Sequence, residues 1–269
     1  MASSEPGFGD RFTLTLVTDD PEQAAAADSA GVDRIGIDIE RLGKVGRQAA
    51  HKKARISTHR LEDLAQLAPH LRHARLFFRI DPPHPGSAEQ IERALDFGAV
   101  VLMLPYFTET AEAARFVDLV AGRAHTVLLA ETGAAAWRIE HLAAIDGLDE
   151  IMVGLNDLSW EMGVSDRFTL LASPLMQALA ATVRCAGKQL SMGGLGRWDD
   201  PDLPTPPDVI YAQYPRLNAG GAWLARSFYA TEDAFDWPAA VQTLRRRLDH
   251  WASQDPDALE TARRTLART

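Results

Sequence analysis

One cysteine, Cys185, stands among 269 residues, which excludes an intrachain disulfide and a cysteine metal cluster. It falls in an apparent helix, Met176–Ala186, and reads as a small packing residue rather than a nucleophile. No window of about 18 apolar residues exists, so nothing is expected to span a membrane. The opening residues, Met1–Asp10, lack the basic and apolar regions of a signal peptide. Basic residues are outnumbered: 28 Lys and Arg against 37 Asp and Glu leave a net charge of −9, which argues against a nucleic-acid partner. The long single-sign blocks of interaction tails are missing. So are a glycine-rich dinucleotide fingerprint after the first apolar run, a His-Glu-x-x-His pair and a Gly-x-Ser-x-Gly elbow. What remains is an ordinary globular composition, 46% hydrophobic and 24% charged, expected to be cytoplasmic.

The chain alternates short apolar runs with helical patterns. Strands are expected at Phe12–Thr18, Arg34–Asp38, Leu76–Ile80, Val100–Pro105, Thr126–Glu131, Glu150–Leu155, Gln189–Gly193 and Trp223–Phe228. Between them the spacing predicts helices at Pro21–Ala30, Leu61–Leu71, Ala88–Phe97, Glu109–Val120, Ala134–Ile145 and Phe168–Ala186. Eight such repeats predict an α/β fold, a closed (β/α)8 TIM barrel rather than an open doubly wound sheet. Two segments interrupt the rhythm. Gly193–Asp208, rich in Gly, Pro and Asp, reads as a long loop of functional type. The tail, Pro238–Thr269, reads as two helical stretches broken near Asp255-Pro256, either packed on the barrel or docked on a neighbouring subunit. The expected division is a barrel over residues 1–237 and a helical extension of the same domain over 238–269.

Two strings carry the chemistry: Leu128-Leu129-Ala130-Glu131-Thr132 and Val153-Gly154-Leu155-Asn156-Asp157-Leu158. Each is a buried-looking run followed by a carboxylate where a loop should begin, and a buried charge is costly unless paired or bound to a cation. Either carboxylate on its own is explained as a cap of the following helix. Two of them on successive strand ends, side by side at the mouth where barrel active sites lie, favour a divalent metal held by oxygen ligands. Arg79, after Phe77 and Phe78, is placed to grip a substrate carboxylate or to pair with Asp38 or Asp81. Asp38 and Glu40 share one side of the second strand and are read as orienting Arg79 or a metal-bound water, with Arg41 next to them. Gly43, Lys44, Gly46 and Arg47 then make a basic loop suited to an anionic tail, without phosphate-loop spacing. His59 and His84 are loop candidates for substrate contact.

With those residues in view, the chain resembles the HpcH/HpaI aldolase and citrate lyase β-subunit family, of the pyruvate and phosphoenolpyruvate barrel superfamily. The resemblance runs from about Phe12 to Phe228, through Arg79-Ile80, Leu95-Asp96-Phe97-Gly98-Ala99, Leu104-Pro105, Thr110-Ala111-Glu112-Ala113-Ala114, Glu131-Thr132 and Gly154-Leu155-Asn156-Asp157-Leu158. It implies a barrel that binds Mg²⁺ or Mn²⁺ between Glu131 and Asp157. It also implies that Arg79 holds the carboxylate and enolate oxygen of a 2-oxo acid, and that N–H groups near Gly154 and Leu155 hold the carboxylate. A homo-oligomer is implied as well. The family's aldolases use a histidine just past the second-strand acid, paired with an aspartate, as proton shuttle. Here Arg41 stands where that histidine aligns, and Asp96 is the matching aspartate; arginine cannot serve as a base near neutral pH. Citrate-lyase-like members also lack the histidine and act on acyl-CoA thioesters. Gly194-Leu195-Gly196-Arg197 and Ala212-Gln213-Tyr214-Pro215-Arg216 depart from the aldolases and suggest a substrate held by Arg197 or Arg216.

Three function classes follow. The first is a divalent-metal-dependent carbon–carbon lyase or aldolase with Arg79, Asp38, Glu40 and Asp96 as catalytic residues and Arg79, Gly154, Leu155, Arg41 and Arg197 on the substrate. The second is a citrate-lyase-like acyl-CoA lyase or condensing enzyme on the same scaffold. The third is a non-catalytic protein that keeps the metal and carboxylate pocket. The missing histidine favours the third; Glu131, Asp157 and Arg79 together favour the first two.

Overall fold

In a parallel strand covered on both faces, alternate side chains belong to different cores, and the register decides which of them meet. The computed structural model describes residues 5–43, 57–200, 203, 205–230 and 235–268. Its strands are β1 (Thr13–Val17), β2 (Arg34–Asp38), β3 (Arg75–Arg79), β4 (Val101–Leu104), β5 (His125–Ala130), β6 (Glu150–Val153), β7 (Gln189–Leu195) and β8 (Gly221–Leu224). All eight pair in parallel and in sequence order, and β8 returns to β1. This is the expected (β/α)8 barrel. Leu102 and Leu104 of β4 join the large core between strands and helices, whereas Val101 and Met103 join Phe77, Val127, Leu129 and Met152 inside the barrel. Full burial of each such side chain stabilises by about 1.5–3 kcal/mol.

Helices form where the caps foretell them. Asp20 Oδ1 accepts the N–H groups of Glu22 and Gln23 at 2.9 and 3.3 Å, Pro21 opens the helix Pro21–Ser29, and Gly31 leaves it at φ +89°. The helix expected over Phe168–Ala186 is divided. A 3-10 segment, Arg167–Ala172, gives way to the helix Pro174–Cys185, because Pro174 has no N–H to continue a helix and Ser173 Oγ caps Met176 instead. The long loop after β7 is shorter than expected, since β7 extends to Leu195 and a helix, Pro207–Leu217, begins before Asp208. Strand β8 starts and ends earlier than read, and Arg226–Tyr229 is a helical turn. The tail forms Trp237–Ala252 and Pro256–Leu266, divided at Asp255, whose carboxylate caps Ala258. It packs on its own barrel: Arg245 donates to the carbonyl oxygens of Gly9, Phe12 and Gly31 and pairs with Asp33 at 3.0 Å. Among the described residues no helix is long and apolar enough to cross a membrane.

The amino ends of the strands hold a network that the sequence did not announce. Arg34 of β2 pairs with Glu150 of β6 at 2.7 Å, both nearly inaccessible. His125 Nε2 lies 3.2 Å from Arg34 Nη2 and 3.0 Å from Glu150 Oε2. Burial raises the Glu150 pKa, but the charge of Arg34 and the hydrogen bond with His125 outweigh it and hold the carboxyl below its ordinary value. A depressed carboxylate contributes stability above its unfolded pKa, near ~4.3, and loses it as pH falls through the lower folded value. Glu150→Gln leaves Arg34 buried without its counter-ion, so a loss of about 3–5 kcal/mol is expected in urea denaturation at about pH 7. The variant's acid limb should also be flatter. Equal stability of the two proteins would remove the network from the forces that close the barrel.

Candidate active site

The carboxyl ends of β2 and β3 meet by register, with Asp38 opposite Arg79. Arg79 donates from Nε to Asp38 Oδ1 at 2.8 Å and from Nη2 to Oδ2 at 2.5 Å, a bidentate fork. Glu40 Oε2 lies 3.2 Å from the same Nη2, and the Glu40 N–H returns to Asp38 Oδ1 at 2.9 Å. Of the two partners open to Arg79 on sequence grounds, Asp38 is the one chosen. Asp81 instead accepts the N–H groups of Arg41 and Leu42 and pins the start of the next loop. Trp223 of β8 lies beneath the guanidinium, with Cζ 4.7 Å from its ring centroid, and stands edge-on to Phe77. Burial works against the Arg79 charge, but Asp38 and Glu40, with a contribution from Glu131, outweigh it and hold the guanidinium pKa above its ordinary value.

Glu131 follows β5 and is buried beside this cluster. It does not cap the next helix. Thr132 does so, accepting the Ala135 N–H on Oγ1 at 3.0 Å, which leaves the Glu131 side chain turned into the mouth. The Tyr106 N–H donates to Glu131 Oε1 at 3.0 Å, from a backbone in the left-handed region at φ 43°. On its other side the carboxylate lies against Gly154, where an added Cβ would meet Glu131 Cβ at 2.6 Å and Oε2 at 2.9 Å. Gly154 introduces the helix Leu155–Glu161, and Asp157 sits half-buried in its first turn rather than at a strand end. The glycine therefore brings the Glu131 carboxylate up to the turn that carries Asp157.

Among the described residues no group of three or more His, Cys, Asp or Glu is disposed to hold an ion. Glu131 and the helix turn bearing Asp157 each carry one carboxylate at the two sides of Gly154. Hard oxygen donors in that number suit Mg²⁺, which keeps several waters and is commonly bound through one or two carboxylates plus substrate. The chemistry of these oxygen donors fits such a cation.

A model of the HpcH/HpaI aldolase/citrate lyase family matches residues 11–189. The chain belongs to that family. The family is one of lyase and aldolase type. A stretch of 83 residues is 31% identical to the 4-hydroxy-4-methyl-2-oxoglutarate aldolase cghB of Chaetomium globosum, spanning 30% of this chain and 31% of that protein. Among solved structures, citrate synthase SbnG matches with a TM-score of 0.62 at 19% identity, over 81% of this chain and 88% of that one. An HpcH/HpaI aldolase/citrate lyase family protein from Burkholderia cenocepacia J2315 matches at 0.60 and 17%, over 90% and 95%. At these identities the two structures speak for the fold.

Several expected HpcH/HpaI site residues stand elsewhere. Asp96 ends the helix Ser87–Asp96, is exposed and faces Arg123. Helices run back along the barrel, so its position is at the amino ends of the strands, away from the mouth, and it is not part of the site. The Gly154 N–H donates to Ala130 O at 3.0 Å and belongs to the sheet, so it is not a carboxylate donor; the Leu155 N–H opens the helix beside it. Arg41 is exposed and donates to His59 O at 2.6 Å. Arg197 is past the extended β7 and donates to Asp199 at 2.5 Å. Arg216 binds Gln213, Gln177 and Leu171 O near the end of Pro207–Leu217, where burial, with the nearby Arg263, lowers its pKa to about 10; it is a packing residue. Lys44, Gly46 and Arg47 lie outside the described residues. His84 closes its own turn, accepting the Gly86 N–H on Nδ1. His59 reaches the mouth, with Nδ1 3.2 Å from the Asp38 N–H. Sequence reasoning missed Trp223 and the Tyr106 N–H. The inward parity of β8 points to Trp223, whereas nothing in the sequence signals a backbone N–H.

Gly154 has φ −86° and ψ 97°, which any residue adopts, so alanine there is penalised by contact, chiefly with Glu131 and less with Leu129 Cδ1 at 3.3 Å. Gly154→Ala is expected to cost about 1–3 kcal/mol in thermal or urea unfolding. It should also displace the carboxylate and weaken Mg²⁺ binding in calorimetry. Unaltered stability and unaltered binding together would show that the carboxylate does not rest there.

Proposed function

We propose that this chain is a divalent-metal-dependent carbon–carbon lyase or aldolase that forms or uses the pyruvate-type enolate of a 2-oxo acid. One observation carries the reading: a buried guanidinium, fixed by Asp38 and Glu40, shares the barrel mouth with the Glu131 carboxylate and the turn bearing Asp157. Mg²⁺ or Mn²⁺ held by Glu131 and Asp157 would supply Lewis-acid polarisation of the 2-oxo group. The protein's own part is binding and orientation. Asp38 holds Arg79 through Nε and Nη2 and keeps it from swinging away. The guanidinium would address the substrate carboxylate and the oxygen on which negative charge grows with the N–H groups that Asp38 does not take. Trp223 closes one side of the guanidinium to water. The Leu155 N–H, at the opening of its helix, would donate to the substrate carboxylate.

A condensing enzyme or acyl-CoA lyase on the same scaffold is the second reading. The observation in its favour is Arg41, an exposed cation in place of the family's shuttle histidine.

Proton NMR of pyruvate in D₂O tests the first reading. Methyl-proton exchange is expected with Mg²⁺ or Mn²⁺, and is expected to stop with chelator and in Glu131→Gln. Calorimetry should show loss of cation binding in both Glu131→Gln and Asp157→Asn. Exchange that survives chelation, or metal affinity unchanged in both variants, would overturn the assignment. Arg79→Ala should weaken pyruvate binding severely while circular dichroism stays that of the parent; undiminished binding would place the clamp elsewhere.

A further inference from the structure

His59 is held on three sides. Its N–H donates to Ser57 Oγ at 3.2 Å, its carbonyl oxygen accepts from Arg41 Nη2 at 2.6 Å, and its ring Nδ1 accepts the Asp38 N–H at 3.2 Å. The ring is mostly buried, with its side chain 14% exposed. The third contact has a chemical consequence. A backbone N–H can only donate, so Nδ1 must carry a lone pair and the proton of the neutral ring resides on Nε2. That Nε2 faces the β1 side of the mouth, 3.6 Å from Asp19 Oδ1, which is longer than a hydrogen bond. A proton shuttle needs an imidazole nitrogen that takes up a proton and returns it. Here Nδ1 is occupied by a donor that cannot release its proton, and Nε2 already carries one. The geometry suits a donor of fixed direction.

Asp38 links this donor to the clamp, because its carboxylate holds Arg79 while its N–H holds His59. A carbonyl compound that approached a 2-oxo acid on Arg79 from the β1 side, where Asp19 stands, would meet the Nε2–H. We propose that His59 is a fixed neutral hydrogen-bond donor to the oxygen of that carbonyl partner, and that Arg41 and Asp38 position it. The inference rests on the aldolase reading above and assigns the half of the site that receives the electrophile. In the cleavage direction the bond between the enolate carbon and the hydroxyl-bearing carbon breaks, and its electron pair goes to the enolate. The hydroxyl proton passes to water, its oxygen becomes a carbonyl, and a proton from water ends on the enolate carbon. His59 transfers no proton; it stabilises the oxygen while that oxygen carries negative charge.

Three measurements on the full chain test the proposal. Long-range ¹H–¹⁵N correlation spectra should show the His59 ring with Nδ1 unprotonated and Nε2 protonated, whatever the substrate; the opposite tautomer overturns the proposal. Cleavage of 4-hydroxy-4-methyl-2-oxoglutarate to pyruvate with Mg²⁺ should fall about a hundredfold in His59→Ala, as when one oxyanion donor is lost. His59→Gln, which keeps an N–H donor, should stay within about tenfold of the parent. Methyl-proton exchange of pyruvate alone, which involves no partner oxygen, should fall far less than cleavage in His59→Ala. Exchange that falls together with cleavage in both would make His59 the base and overturn the proposal, as would cleavage unaffected in His59→Ala. A parent protein that neither exchanges nor cleaves counts against the aldolase reading, and the tautomer measurement still judges His59.

Discussion

The mouth of this barrel is organised by one pair, Asp38 and Arg79, placed opposite each other where β2 and β3 end. A guanidinium buried to that degree is tolerable only with a counter-charge in contact, and a bidentate carboxylate is the geometry that holds it in one orientation. Other features of the site refer back to that pair. Glu40 adds a second carboxylate, Trp223 supplies the face on which the guanidinium lies, and the Asp38 N–H holds His59. Remove the pair and the remaining groups lose their common reference.

The two ends of the barrel use buried charge differently. At the amino ends, Arg34 and His125 pair with Glu150 inside the barrel, below the apolar layer of Phe77, Val127 and Met152. At the carboxyl ends the charged groups stand beside helix starts and loops. In (β/α)8 barrels chemistry lies at the carboxyl ends and stability at the amino ends, and the distribution of charge here follows that division. Local capping reinforces it. Because Thr132 takes the cap, Glu131 is spared for the mouth, and because residue 154 is glycine, nothing separates that carboxylate from the turn carrying Asp157.

Membership of the HpcH/HpaI aldolase/citrate lyase family does not carry every family residue into this chain. Arg41, which the resemblance sets at the position of the shuttle histidine, holds the carbonyl of His59. Asp96, which the alignment of motifs would pair with that histidine, is on the far side of the barrel and faces Arg123. On the β1–β2 side of the mouth stands His59, held by the Asp38 N–H.

By itself the amino-acid sequence determined the barrel. Doubly buried strands require apolar residues at every position, helices between them require caps and a polar outer face, and eight repeats leave closure as the economical topology. It also marked Glu131, Asp157 and Arg79, because a charge at the end of an apolar run has few explanations. The helix Pro207–Leu217 escaped notice because its Pro-rich opening resembles a loop, although proline is also at home in the first turn of a helix. Only the tertiary structure decided that Asp38 rather than Asp81 binds Arg79, that Asp96 stands away from the mouth, and that Trp223 and His59 belong to it. Those outcomes depend on register and on the direction in which each helix returns. Both arise from contacts between segments far apart in the chain, where local propensity and periodicity carry no information.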